Sequence, residues 1–400
     1  MPTPREEDVD WSEVAAPSGA LEDAHRVFRR WLGENYDVQA LDAVLAAAAV
    51  ERLDGDPLWL LVISGSGNAK TETVASLAET GAHMVSTIAS EGALLSATSK
   101  KETTEDATGG LLRQIGERGV IVIKDVTSIL SMSGDQRAAV LGALREVYDG
   151  SWARTVGTDG GRTLRWAGRL AVVGAVTTAW DRAHSVVAAM GDRFVLVRMD
   201  STRGRRAAGR RAIGNTGQED QMRADLTRAV ARVLAEMTTE PETGTDAEME
   251  ALLAAADLVT RVRTAVDRDY AGNVTDAHAP EMPTRFAKQL GQVVRGAVAV
   301  GMDRREAMRL AVRCARDSMP PLRLAILDDV AAHPGASTAE VRKRVGKPRA
   351  TVDRELQALH MLEALTTDEE EEFRAGRAVT VWRYTLAEDI DPTALDPDAL

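Results

Sequence analysis

Residues 64–71 read Ser64-Gly65-Ser66-Gly67-Asn68-Ala69-Lys70-Thr71, which places two glycines, one ammonium and several hydroxyls on a single short loop. Phosphate oxygens are held by backbone N–H groups that no side chain screens, followed by the start of a helix. Gly65 and Gly67 can adopt the backbone angles that turn such groups inward. In this geometry Lys70 reaches the β- and γ-phosphates of a nucleotide and the Thr71 hydroxyl holds Mg²⁺. Ser64 and Ala69 stand where the form G-x-x-x-x-G-K-[ST] has glycine, and both are small enough to leave the path open. The competing reading is a tight strand-to-helix turn with a solvated lysine. Asp125, at the end of the apolar run "VIVIK", is the best-placed carboxylate to orient a metal ion.

These groups need a frame. "LWLLVI", "GVIVIKD", "RLAVVGAV" and "RFVLVRM" are short apolar runs separated by helical patterns, as expected of a parallel sheet buried on both faces. The loop lies between the first run and "KTETVASLAETG", which predicts a helix of good length. The expected fold class is α/β. Boundaries follow from composition: an N-terminal helical segment over 1–54, loose and polar over its first 19 residues; an α/β nucleotide-binding core over 55–218; helices over 219–318; a small domain over 319–388; and a disordered acidic tail over 389–400. "SWARTVGTDGGRTLRWAG" predicts a β-hairpin turning at Asp159-Gly160-Gly161.

The small domain opens at Pro320 and Pro321. Three helical patterns and a strand–turn–strand segment give the winged-helix pattern, whose third helix enters the DNA major groove. That helix is "PRATVDRELQALHML", with Val352, Leu356 and Leu359 as its buried stripe. Lys347, Arg349, Thr351 and Arg354 remain for DNA. Between Glu340 and Arg354, six basic residues face two acids, against a net charge of −12 for the whole chain. An acidic surface repels nucleic acid, so a local basic patch must carry any DNA contact. The run Asp368–Glu372 opposes that reading, and protein docking or a structural role is the alternative. Arg203, Arg205, Arg206, Arg210 and Arg211 form a second basic cluster, facing DNA or only solvent.

The chain has 400 residues, 44% of them hydrophobic and only 4% aromatic, so Ala, Val and Leu must fill the core. Its single cysteine, Cys314, rules out an internal disulfide and suits a reducing compartment. The N-terminus lacks the apolar core of a signal peptide, and no run approaches the ~20 apolar residues of a membrane span. The expectation is a soluble, cytoplasmic protein with no membrane partner.

"SGSGNAKT" resembles the G-x-x-G-x-A-K-S loop of the minichromosome maintenance (MCM) branch of the AAA+ ATPases, which also has alanine before the lysine. Ser64 departs from it. "GERGVIVIKDVTSIL" is similar to that branch's acid-bearing strand, "VGAVTT" to its sensor strand and "MGDRFVLVRMD" to its arginine-finger segment. "MPTRFAKQL" lies where the lid helix carries a second arginine. The resemblance spans roughly residues 55–318. It implies ATP and Mg²⁺ as ligands, a helical lid over 219–318, a homo-oligomer, and a helicase-like or replication-associated motor. By the same resemblance Thr177 (or Thr178) senses the γ-phosphate or orients water, Arg193 acts on a neighbour's nucleotide, and Arg285 is the lid arginine. Strand-end capping for the threonines, a salt bridge for Arg193 with an acid such as Asp192, and plain surface charge for Arg285 are the competing readings. The family's hairpin points Arg154, Arg162 and Arg165 at DNA; a plain sheet-edge hairpin is the alternative. The family has two acids where this chain has only Asp125, between Lys124 and Val126. Asp125 is assigned to the metal side, since a cation there would repel Mg²⁺, and Glu91 is a substitute water-positioning acid or a solvated loop residue. The missing acid also fits a second reading, a nucleotide-switched winged-helix transcription regulator that hydrolyses ATP weakly or not at all. A scaffold with an empty site is a third.

Overall fold

β1 (Trp59–Ile63) is five apolar residues in succession, and all five are buried. A strand apolar on both faces needs strands at both edges and layers above and below. The computed structural model, which describes residues 19–97, 109–157, 161–181, 193–374 and 377–399, provides them. The expectations for residues 1–18, for Asp159 and Gly160, and for Asp192 lie outside the described residues.

Along the chain come α1 (Ala20–Leu32), α2 (Val38–Val50), β1, α3 (Lys70–Ala75), β2 (His83–Val85), α4 (Glu91–Leu94), α5 (Leu111–Ile115), β3 (Arg118–Ile123), α6 (Thr127–Leu130) and α7 (Gly134–Tyr148). The antiparallel pair β4 (Ser151–Val156) and β5 (Arg162–Ala167) precedes β6 (Arg169–Val176) and β7 (Val195–Arg198). The main sheet has five parallel strands in the order β2-β3-β6-β1-β7. The chain leaves β1 toward β2 at one edge, and leaves β6 across β1 toward β7 at the other. The two connections leave the carboxyl ends of the neighbouring strands β6 and β1 in opposite directions along the sheet, and the crevice outside that end is where ligands of open α/β sheets bind.

α2 is almost wholly apolar, and every residue from Ala40 to Val50 is buried, including Asp42, which meets His25 at 2.6 Å. It lies between the sheet and α11 (Thr284–Ala299). At their crossing a Cβ on Gly296 would stand 2.3 Å from the Ala46 carbonyl oxygen, so glycine is required there. α8 (Arg205–Gly214) buries none of its residues. α9 (Glu219–Glu236) packs along α1. α10 (Asp246–Val262), the hairpin of β8 (Val266–Arg268) and β9 (Val274–Ala277), α11 and α12 (Arg304–Asp317) complete a helical layer. Cys314 is fully buried in α12, and burial pushes its thiol up. No helix among the described residues is long and apolar enough to cross a membrane.

α13 (Pro321–Ala332), β10 (Ala336–Ser337), α14 (Thr338–Val345), α15 (Arg349–Met361), β11 (Leu365–Arg374) and β12 (Arg377–Leu386) follow, the strands pairing antiparallel in the order β10-β12-β11.

Two local expectations fail. The helix after the glycine loop ends at Ala75, after six residues. Ser76 Oγ donates to the Thr73 carbonyl at 2.6 Å and Thr80 Oγ1 to that of Leu77 at 2.7 Å, so hydroxyls compete for the helical acceptors. The acidic tail is ordered, not disordered. Ile390 and Leu395 are buried, and Asp389 meets Arg261 at 2.7 Å. Two apolar anchors and one arginine offset the charge that composition alone weighs.

Candidate functional site

The loop after β1 turns at the crevice. Gly67 has φ of 78° and Ala69 of 55°, so the chain is left-handed twice before α3 begins at Lys70. Glycine suits the first position; at the second, an alanine held left-handed costs about 1 kcal/mol. Ser64 N–H donates to the Val176 carbonyl, which ties the loop to the end of β6 at 3.3 Å. Asn68 Nδ2 donates to the Asp200 carbonyl at 3.2 Å. A Cβ on Gly65 would meet Ser201 Oγ at 3.0 Å, so the segment after β7 closes over the loop.

Lys70 Nζ donates to the Gly65 carbonyl at 3.2 Å, curling back over the loop. Partial burial pulls its ammonium below the usual lysine range, and the Asp125 carboxylate opposes that shift. Lys70 and Asp125, far apart in sequence, therefore share one electrostatic environment at the carboxyl edge of the sheet. Asp125 is exposed, and its Oδ1 accepts from Thr127 N–H at 3.0 Å. Thr177, just past β6, lies against Thr127: its N–H donates to Thr127 Oγ1 at 3.2 Å, and the two hydroxyls are 3.3 Å apart. Thr71 is exposed at the first turn of α3. The structure thus brings together Ser64–Thr71, Asp125 and Thr177. It adds Thr127, which the sequence reading missed; a threonine two residues after the strand-end acid was the available signal.

A cavity of about 450 Å³ adjoins the loop, walled by Tyr36, Asp37, Gly67–Glu72 and the small residues Ala207, Ala208 and Ala212 of α8. Tyr36, also missed, anchors this wall through a 2.8 Å hydrogen bond to Thr73 Oγ1. Hard oxygen donors at Thr71 and Asp125 suit Mg²⁺, which takes few protein ligands and leaves the rest to phosphates and water.

Other predicted residues lie elsewhere. Glu91, at the start of α4, pairs with Arg154 of β4 at 2.9 Å. Arg193 stands before β7, at the amino edge of the sheet, 3.1 Å from Asp149 and over the Tyr148 ring. Arg285 meets Glu281 at 2.9 Å. Burial pushes the Tyr148 phenol up to about 12, while the Arg285 and Arg193 charges both act to lower it.

On α15 and just before it, Lys347, Arg349 and Thr351 are exposed. Arg354 is turned aside: its Nη2 donates to the Ala271 carbonyl in the β8–β9 turn. Glu355 beside it bridges Arg268 at 2.7 Å and Arg323 at 2.9 Å. The acidic run on β11 is partly neutralised, since Arg383 reaches Glu370 and Glu372 at 2.7 Å each. The arginines at 203, 205, 206, 210 and 211 lie on or just before α8.

No protein-family model matches the chain, and no curated protein matches it. Among solved structures it is similar to the A form apo structure of the NrS-1 C-terminal region, with 9% identity and a TM-score of 0.28 over 93% of this chain and 79% of that one. A score of that size does not establish a shared fold.

Proposed function

We propose that the chain is an ATP-binding AAA+ ATPase, similar to the MCM branch, coupled to DNA through a C-terminal winged helix. The observation that carries this reading is the loop Ser64–Thr71 at the carboxyl end of β1, with Lys70 curled over it beside Asp125. Its chemistry fits a triphosphate: bare amides at Gly65 and Gly67, a partly desolvated cation, and a carboxylate across the crevice. The adjoining cavity of about 450 Å³ has room for a nucleoside. A bound Mg²⁺ would neutralise charge on the phosphates. The chain's own residues do the rest. The loop amides orient the phosphate chain, Lys70 screens its terminal charge, and Thr177, held by Thr127, presents a hydroxyl to the same edge. The helical layer α9–α12 serves as the lid. Arg193, held by Asp149, and Arg285, held by Glu281, lie at the opposite edge, and in this reading they exchange those acids for a neighbouring copy's phosphates in an oligomer.

In this reading α13–α15 with β10–β12 form the winged helix, and Lys347, Arg349 and Thr351 meet DNA. The decisive experiment measures ATP binding and turnover, with and without DNA, on the wild type and Lys70→Ala. DNA-stimulated turnover that Lys70→Ala abolishes supports the motor. No saturable nucleotide binding rejects the proposal.

A second reading, a nucleotide-switched DNA-binding regulator with weak or no hydrolysis, draws on one observation. Lys124, exposed, stands beside Asp125 where a second carboxylate is needed. Nucleotide binding without turnover selects it.

A further inference from the structure

A second cavity, outside the nucleotide site, lies between the helical layer and the C-terminal unit. It measures about 620 Å³, within the range of small-molecule sites. One wall is apolar, built from Val266, Pro321, Leu322, Ala325 and Val345. The other carries Arg263, Arg268, Arg323 and Lys347 against Asp181 and Glu355.

The acids are already satisfied. Asp181 holds Arg198 at 2.7 Å, and Glu355 is shared by Arg268 and Arg323. Positive charge is left over. Lys347 has no ion pair among the described residues. Arg263 is the stronger signal. Its side chain is only 4% exposed, its Nη2 meets Glu281 at 3.0 Å, and its plane lies over the Phe286 ring. Its Nη1 is buried with no hydrogen-bond partner among the described residues. A buried guanidinium nitrogen without an acceptor is costly, and an anionic acceptor removes that cost.

We propose that this cavity binds a small organic anion with an apolar body, its acidic group between Arg263 and Lys347 and its body against Leu322, Ala325 and Val345. Thr351 lines the same cavity, so the ligand occupies two of the residues assigned to DNA. Ligand and DNA then compete, a consequence that rests on the winged-helix reading while the binding site itself does not. The same joint is already drawn together by Arg354 on Ala271 and by Glu355 on Arg268, and a bound anion strengthens that clamp.

The test uses anilinonaphthalene sulfonate, an aromatic sulfonate that fluoresces when its body leaves water, with the full-length chain. A single saturable site is expected. Ala325→Trp fills the cavity and abolishes it, and Lys347→Glu weakens it about tenfold or more. Lys70→Ala leaves it unchanged and ATP does not displace it, which separates this site from the phosphate loop. Saturating probe weakens DNA binding. Absence of saturable fluorescence in the wild type overturns the proposal, as does a signal that ATP displaces. If Ala325→Trp fails to fold, the surface variant Lys347→Glu decides: an unchanged titration overturns the site. DNA affinity indifferent to saturating probe overturns the competition.

Discussion

Lys70 and Arg193 flank opposite ends of the same pair of parallel strands. Leu60 pairs with Val195 and Ile63 with Arg198, so Lys70 follows the carboxyl end of β1 while Arg193 precedes the amino end of β7. At about 3.3 Å per residue, the five steps from Arg193 to Arg198, the partner of Ile63, span about 17 Å. One copy cannot bring both cations to one phosphate. Under the motor reading Arg193 completes a neighbour's site. Lys70→Ala and Arg193→Ala should each lower turnover by about 10³-fold, the second without loss of nucleotide binding. Mixing the two inactive variants should restore part of the activity, because one copy supplies the loop and the other the arginine. A mixture as inactive as its components removes the shared site.

Asp125 and Glu91 separate by their partners. Asp125 is exposed beside Lys70, whereas Glu91 is already neutralised by Arg154. Under the motor reading, Asp125→Asn should lower Mg²⁺-dependent turnover by about 100-fold or more, and Glu91→Gln by less than about tenfold. Steady-state phosphate release distinguishes them; equal losses would return Glu91 to the site.

The proposed DNA binding by α15 is tested by its salt dependence. Lys347→Ala and Arg349→Ala should each reduce the slope of log affinity against log salt by about 1. Arg354→Ala should leave the slope unchanged, because its guanidinium is spent on the Ala271 carbonyl. A reduced slope for Arg354→Ala would mean that this contact opens when DNA binds.

Gly296→Ala sets two effects against each other. Alanine gains about 1 kcal/mol of helix propensity over glycine. Its Cβ would sit 2.3 Å from the Ala46 carbonyl oxygen, and both helices are backbone at that point. Overpacking of this kind costs about 1–3 kcal/mol, so net destabilisation is expected. Denaturant midpoints check the sign.

Glu248 makes stability depend on pH. Its two oxygens meet Arg304 at 2.9 Å and it closes the capping box of Thr245. The Arg304 hydrogen bonds hold its carboxyl well below the usual value of 4.5, down to about 2. A depressed folded value means that the unfolded chain binds the proton first. The contribution is therefore full above pH 4.5 and disappears as pH falls toward 2. Glu248→Gln should lower Tm at neutral pH, with the gap to wild type closing across that interval. A gap independent of pH would assign the effect to packing.

Much of the frame is legible because β1, β3, β6 and β7 are unbroken apolar runs, and the glycines and Lys70 announce a turn with charge at its end. β2 escaped notice: three half-buried residues carry too little pattern. The pairing of Thr127 with Thr177 and of Arg354 with Ala271 joins residues 50 and 83 positions apart, which no local spacing encodes. The short α3 turns on serine and threonine hydroxyls whose choice of acceptor only the folded backbone decides. The tail was misjudged because net charge conceals two well-placed apolar side chains.

α8 touches the rest of the molecule chiefly at its two ends, where Gly204 abuts Asn35 and Asn215 donates to the Trp31 carbonyl at 2.8 Å. A helix moored in this way has little hydrophobic ballast of its own. It can melt while the sheet stands, so its amides should exchange with deuterium long before those of β1, and a molecule filling the space beneath it would slow that exchange first.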